Sequence, residues 1–270
     1  MTRDALLFRL YTGLILLIAL AAIFAPLLTS YDPYESQIQM SLLPPSAEHY
    51  FGTDKLGRDL FTRVLYGARV SLTMTLFVVV LIAGLGTLIG VISAYVGGKV
   101  DTVIMRLADI FLAFPGIVLA IAIAGVLGGS AVNAVLALVV VGWTKYARLA
   151  RSLTLKVKQQ DYLAAAITNG TRQADMIRRH ILPNILPIII VTAALDIGAL
   201  MMELAGLSFL GFGAQPPTPE WGLMLNEGRQ LIQTAPWLMI FPGLAIASVV
   251  AIFNLWGDSL RDMMDPRKAN

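Results

Sequence analysis

The sequence predicts an all-α, multi-pass membrane protein with six transmembrane helices. Two observations carry this prediction. Hydrophobic residues make up 57% of the 270-residue chain and charged residues only 14%, and the apolar residues gather into runs long enough to cross a bilayer. A soluble domain carries roughly 25% charged residues, so lipid must replace water over much of the surface.

Apolar runs fall near 10–28, 70–96, 104–127, 131–149, 185–209 and 237–256. Crossing ~30 Å of hydrocarbon takes about 20 helical residues, so each run can serve as one span. Arg3 and Arg9 precede the first, and no small-residue cleavage site follows it. Ala25-Pro26-Leu27-Leu28 leads straight into polar sequence, as a retained span would rather than a removed signal peptide.

Residues 29–69 contain Gly52-Thr53-Asp54-Lys55-Leu56-Gly57-Arg58-Asp59, then Leu60, Phe61, Val64 and Leu65 at helical spacing. That pattern predicts a short amphipathic helix in the interface, capped by Asp54 or Asp59, with Asp59 and Arg63 paired at i,i+4. In the second span Gly84, Gly86 and Gly90 offer small surfaces for close helix approach. Arg106 and Asp109 start the third span one turn apart, as a local ion pair would, and Phe114-Pro115-Gly116 predicts a kink further on. Pro187 predicts another early in the fifth. Residues 211–236 hold Gln215-Pro216-Pro217-Thr218-Pro219-Glu220-Trp221-Gly222, a proline-stiffened stretch with Trp221 as an interfacial anchor. The chain thus divides into an N-terminal helix with its outer segment (1–68), a core (69–259) with an inner loop at about 158–184, and a short tail (260–270).

Orientation follows from lysines and arginines, which favour the cytoplasmic side. With the N-terminus inside, 15 lie in inner segments and 5 in outer ones, and eight of the 15 fall between Lys145 and Arg179. Both termini are then cytoplasmic, the 29–69 and 211–236 segments cap the outside, and the loop between spans four and five faces the cytoplasm. The net charge of +3 is spread over several loops. This suits membrane orientation and gives no nucleic-acid footprint.

Catalysis finds no support. The chain has no cysteine, and its two histidines, His49 and His180, fall on opposite sides in this topology. Ser208 is not followed by the glycine an intramembrane serine protease would place there, and Asp258 follows Trp256-Gly257 rather than Gly-x-Gly. Gly98-Lys99 is followed by Val100, so there is no phosphate-cradling loop and no energy source within the chain. Asp196 and Glu203 are the carboxylates inside a span. Seven residues apart, they share one helical face, and Ser208 lies in the same region. Charges in lipid are costly, so this face either lines a polar path attracting a cationic group or pairs with neighbouring helices.

The stretch Asp161–Pro183 is polar, basic and helix-prone between two apolar runs. Asp161 caps a helix that Gly170 ends, and a second short helix runs from about Arg172 to Ile181, stopped by Leu182-Pro183. Arg172, Arg178 and Arg179 give it a basic face. By spacing alone, this helix–Gly–helix elbow either docks in a partner's groove or rests on anionic headgroups.

The segment resembles the cytoplasmic coupling loop of permease subunits of bacterial binding-protein-dependent ABC importers. That loop reads Glu-Ala-Ala, three residues, Gly, nine residues, Ile-x-Leu-Pro. Ala165, Ala166, Gly170, Leu182 and Pro183 match, while Ala164 replaces the Glu and His180 the Ile. Arg179-His180-Ile181-Leu182-Pro183-Asn184, the Gly52–Asp59 stretch, Ser208-Phe209-Leu210-Gly211, Gly213–Gly222 and Asn254–Asp262 are similar to the peptide/nickel branch, and the resemblance extends from Tyr31 onward. It implies a type I ABC importer transmembrane domain and a second (C-type) permease in the bacterial inner membrane, paired with a paralogous permease. Two ATP-binding subunits would carry ATP and Mg, with no cofactor bound by this chain. An extracytoplasmic binding protein would deliver a dipeptide or oligopeptide, or alternatively nickel or its chelate. Asp161, Ala165, Ala166, Gly170, Arg172, Arg178, Arg179, Leu182 and Pro183 would couple to the ATPase. Asp196, Glu203 and Ser208 would line the pathway, and Asp54, Arg58, Asp59, Gln215, Glu220 and Trp221 would meet the binding protein.

Overall fold

A computed structural model describes residues 3–168 and 170–264, apart from the side chains of residues 3, 4, 164, 165 and 167. The Ala165 side chain and the tail beyond residue 264 therefore lie outside the described residues. The described chain is a helical bundle with a single isolated bridge, Thr53 to Asp59. Its helices are α1 (Arg3–Ile23), α2 (Ala25–Leu28), α3 (Leu60–Val96), α4 (Gly98–Leu112), α5 (Gly116–Leu127), α6 (Ala131–Lys158), α7 (Asp161–Thr168), α8 (Gln173–Asp175), α9 (Leu182–Phe209), α10 (Trp221–Gly228) and α11 (Trp237–Met264). Five helices are long and apolar enough to cross a membrane, and a sixth crossing exists if α4 and α5 count as one.

Two boundaries differ from expectation. The predicted interfacial helix after Asp59 does not exist separately. Leu60 opens α3, which continues for 37 residues through position 68, where the chain had been divided. Its apolar face packs on the bundle from the first turn, so nothing ends it. In the third span, Pro115 denies the helix a donor and forces Phe114 out of helical geometry. The result is a 91° corner between α4 and α5 rather than a gentle kink. In the fifth, Pro187 lies inside α9, as expected of a proline tolerated within a span.

The α3–α6 pair is the most extensive packing contact. Glycines make it possible: a Cβ on Gly86 would lie 2.5 Å from the Trp143 carbonyl oxygen, and one on Gly90 would lie 2.2 Å from that of Ala147. Gly84 faces open space and takes no part. α9 packs in the same way on α11, with Gly198 against Asn254 and Gly257 against Leu195. α1 leans on the outside of α11, where Trp256 Nε1 donates to Thr12 Oγ1 at 3.0 Å.

Candidate functional site: an elbow, a charged cavity and a cap

At one end of the bundle lies the Asp161–Pro183 elbow. α7 ends as predicted at Gly170, whose φ of +75° suits a residue without Cβ. The Thr171 N–H reaches back to the Ala166 carbonyl at 3.1 Å, closing the helix end. The second arm is not stopped at Leu182-Pro183, however. It passes from α8 into a π-helical turn, Met176–Ile181, and then directly into α9. Proline removes one N–H, and the wider turn absorbs the loss, with Leu182 N–H donating to the Ile177 carbonyl. Asn184 Nδ2 takes the His180 carbonyl at 2.6 Å and lies 3.2 Å from Tyr162 Oη, pinning α7 to the arm. Leu163, Met176 and Ile181 are buried beneath the elbow. Asp161, Arg172, Arg178 and Arg179 stand exposed on it, with Arg179 Nε 3.5 Å from Asp175. The elbow is therefore a basic surface on a continuous extension of α9.

The shaft of α6 enters this end through charged ties. Lys158 Nζ donates to the carbonyls of Ala94 and Tyr95 at 3.0 and 3.3 Å, closing the C-terminus of α3. Arg151 grips Asp101 of α4 with two bonds of 2.6 and 2.5 Å, and Ser93 donates to the same carboxylate at 2.6 Å. Asp109 pairs with Arg148 of α6, not with Arg106 as predicted. Arg106 points out of the bundle because the buried side of α4 is the one facing α6.

Midway along, the corner between α4 and α5 leaves a cavity of about 190 Å³ bounded by α3, α6 and α9. Asp196 and Glu203 both line it, as their shared face predicted. Asp196 is held by Lys145 Nζ, 2.7 Å from both its oxygens, and by the Tyr146 hydroxyl at 2.8 Å. Glu203 is half-buried and has no hydrogen bond or ion pair among the described residues. Phe111, Phe114 and Leu200 supply apolar wall. The two readings of these carboxylates thus divide between them: Asp196 pairs, and Glu203 faces the cavity alone. Ser208 does neither. It is fully buried beyond the cavity, packed where Gly213 and Gly222 approach, and is not part of the cavity lining.

The opposite end is a cap tied by buried charge. Asp59 accepts from Thr62 N–H at 2.8 Å and Thr62 Oγ1 at 2.7 Å, starting α3, and lies 2.9 Å from His49 Nδ1. Arg58 Nε donates to Asp54 at 2.6 Å. Arg63 does not pair with Asp59. It reaches Glu227 at 3.2 Å, Asp54 at 3.5 Å and the carbonyls of Pro33 and Pro217 at 3.0 and 3.3 Å. Glu220 caps α10 through Gly222 and Leu223 N–H and receives Ser71 Oγ. Trp221 is not an interfacial anchor. Its ring fills the space over Gly67, and its Nε1 donates to the Val64 carbonyl at 2.9 Å. Asp54, Arg58, Asp59, Glu220 and Trp221 are at most 5% exposed. They are internal struts of the cap, not surface offered to another protein, and of the six expected contact residues only Gln215 is exposed. Spacing alone could not reveal Lys145, Tyr146 and Glu227. A lysine inside the fourth apolar run was the one available signal, and the charge count absorbed it.

The profile of the binding-protein-dependent transport system inner membrane component family matches residues 86–270, and that of the N-terminal transmembrane domain of oligopeptide transport permease C matches residues 12–45. The chain belongs to the binding-protein-dependent permease family. A dipeptide transport system permease from Alkalihalophilus pseudofirmus is 48% identical over 257 residues, covering 94% of this chain and 84% of that one. A nickel transport system permease from Escherichia coli K12 is 41% identical over 258 residues, covering 96% and 93%. A glutathione transport system permease from Escherichia coli O6 is 45% identical over 255 residues, covering 94% and 84%. In fold, this permease resembles the MetNI methionine ABC transporter captured in inward-facing conformations. The TM-score is 0.60 at 20% identity, covering 75% of this chain and 97% of that one. The protein is a multi-pass inner-membrane permease subunit of an ABC importer with a type I transmembrane fold, a transport component rather than an enzyme.

Proposed function

We propose that this permease forms half of the path by which a short peptide, released by an extracytoplasmic binding protein, enters the cell. ATP hydrolysis by partner subunits drives the cycle. The observation that carries this reading is the continuity between elbow and cavity. Arg178 and Arg179 sit on a helix that runs without interruption to Asp196 and Glu203, and Arg172 stands immediately before its first turn. Both termini and the elbow lie in the cytoplasm, consistent with the lysine and arginine asymmetry. There the elbow docks with one of two ATP-binding subunits, which hold ATP and Mg, while a paralogous permease closes the open side of the cavity. The binding protein rests on the cap, touching Gln215 and its exposed neighbours. Peptide cargo is favoured by the dipeptide relative, and nickel or its chelate is the alternative carried by the nickel relative.

Reversing Arg178 and Arg179 to Glu in the assembled transporter tests the coupling. Binding-protein-stimulated uptake is expected to fall at least about tenfold, a coupling loss of ~1.4 kcal/mol, while the subunit remains in the membrane. Unchanged uptake, or an Arg172→Cys variant labelled only from outside, refutes the proposal.

A further inference from the structure

Resting on the transport reading above, we infer that Lys145 is a specificity-determining residue. It and Asp196 hold each other across the cavity and are released together by a cargo that carries both an ammonium and a carboxylate.

The inference starts from which charges face the cavity. Lys145 reaches it from α6, and Asp196 and Glu203 from α9. Asp196 is satisfied, with Lys145 at 2.7 Å and the Tyr146 hydroxyl at 2.8 Å, while Glu203 has no partner among the described residues. The walls between them are largely apolar, so a charge left alone there is poorly solvated. On the side left open in this single chain, 57% of the Lys145 side chain is exposed, which leaves it room to change partners.

Ligands then differ in what they leave behind. A lone cation that takes Asp196 displaces Lys145 towards Glu203, the other carboxylate of the cavity, and gives Lys145 nothing further to hold. A lone anion that takes Lys145 strips Asp196 of its charge partner. A zwitterion exchanges both at once: its ammonium settles between Asp196 and Glu203, its carboxylate meets Lys145, and no charge is stranded. Selection arises from the penalty on the wrong ligand as much as from attraction to the right one. Glu203 adds the surplus negative charge that draws the ammonium end first. Lys145 distinguishes a free C-terminus from a blocked one, a discrimination two carboxylates alone could not supply.

The test uses proteoliposomes holding the complete transporter, this permease with its partner permease and ATPases, supplied with the binding protein. ATP-driven uptake is measured for alanyl-alanine, its C-terminal amide, its N-acetyl derivative and Ni²⁺. The binding protein's own preference is identical in every arm and divides out of the variant-to-parent ratio. Lys145→Gln is expected to lower the free-acid-to-amide ratio about tenfold, Lys145→Arg to retain it, and Glu203→Gln to lower the free-amine-to-acetyl ratio about fivefold. A Lys145→Gln ratio within twofold of the parent overturns the inference, as does an equal loss of Ni²⁺ and free-acid peptide uptake in that variant. Should Lys145→Gln not assemble, the double change Lys145→Gln with Asp196→Asn strands no charge and is read the same way. If neither assembles, the pair belongs to the scaffold and the inference fails. A parent that transports no short peptide overturns the transport reading instead.

Discussion

Arg63→Ala is the perturbation that most directly tests how the cap is held. The guanidinium is 1% exposed and makes four contacts: Glu227, Asp54 and the carbonyls of Pro33 and Pro217. Truncation leaves two carboxylates sharing Arg58 alone, and strands the buried Pro33 carbonyl. Removing one partner of a buried ion pair costs about 3–5 kcal/mol, which shifts an opening equilibrium by ~150- to ~5,000-fold. The spans are held by their own packing, so the loss should appear as local opening of the cap rather than global unfolding. Amide hydrogen exchange measures it, because the cap's backbone bonds are identifiable: Gln37 to Leu56 at 2.9 Å, Leu42 to Asp54 at 3.1 Å and Asp54 to Arg58 at 3.0 Å. These amides should exchange faster by about two to three and a half orders of magnitude, while those of mid-α6 stay unchanged. Adding Glu227→Gln should recover part of the loss, since it removes the stranded charge. Exchange in Arg63→Ala within about threefold of the parent, or a double change no better than the single, would refute the reasoning.

Three further expectations concern the bundle. Gly90→Val places a Cβ 2.2 Å from the Ala147 carbonyl oxygen, so α3 and α6 must separate. Thermal aggregation in detergent should report a loss of about 1–3 kcal/mol, whereas Gly84→Val, with open space around it, should be close to neutral. Asp101→Asn weakens the paired hydrogen bonds from Arg151 and should cost about 1 kcal/mol in the same measurement, because Arg151 remains partly solvated. Asn184→Ala frees the His180 carbonyl and the link to Tyr162. It should quicken proteolysis between residues 161 and 181 by about fivefold, equivalent to ~1 kcal/mol.

The number and order of spans could be read from the chain because lipid punishes polar residues wherever they fall, leaving long uninterrupted apolar runs. Gly170 was readable for a similarly local reason: a helix end needs a residue tolerant of positive φ. Partners across the fold were not readable. Helical spacing places Asp196 and Glu203 on one face but says nothing of which helix lies opposite, and Lys145 is 51 positions away. Glu227 is 164 positions from Arg63, so the most natural local guess was Asp59, one turn before it. The cap misled for a further reason. Acids and bases are usually exposed, yet here enough of both converge for Arg58, Arg63, Asp54 and Asp59 to be buried together. Pro183 was read as a stop because a proline in an α-helix leaves a carbonyl unpaired, and the π-helical turn removes that penalty by changing the hydrogen-bond register.

The packing divides the bundle into two groups whose seam passes through the cavity. α6 is tied to α3 by Gly86, Gly90 and Lys158, and to α4 by Arg148 and Arg151. α9 is tied to α11 by the Gly198 and Gly257 approaches. Between the groups, Lys145–Asp196 is the charged link lining the cavity. Both helices leave the elbow. Lys145 lies 13 residues from the end of α6 and Asp196 lies 14 from the start of α9, so each stands ~20 Å above it at 1.5 Å per residue. A hinge of ~5° between arms of that length separates their tips by ~1.7 Å. With the Lys145 side chain held in its present conformation, such a shift carries the 2.7 Å contact beyond hydrogen-bond range. Under the proposed coupling, a small rotation imposed at the elbow is therefore sufficient to part Lys145 from Asp196. The same pair then serves as the latch of the cavity and as the place where a zwitterion can enter without leaving a bare charge.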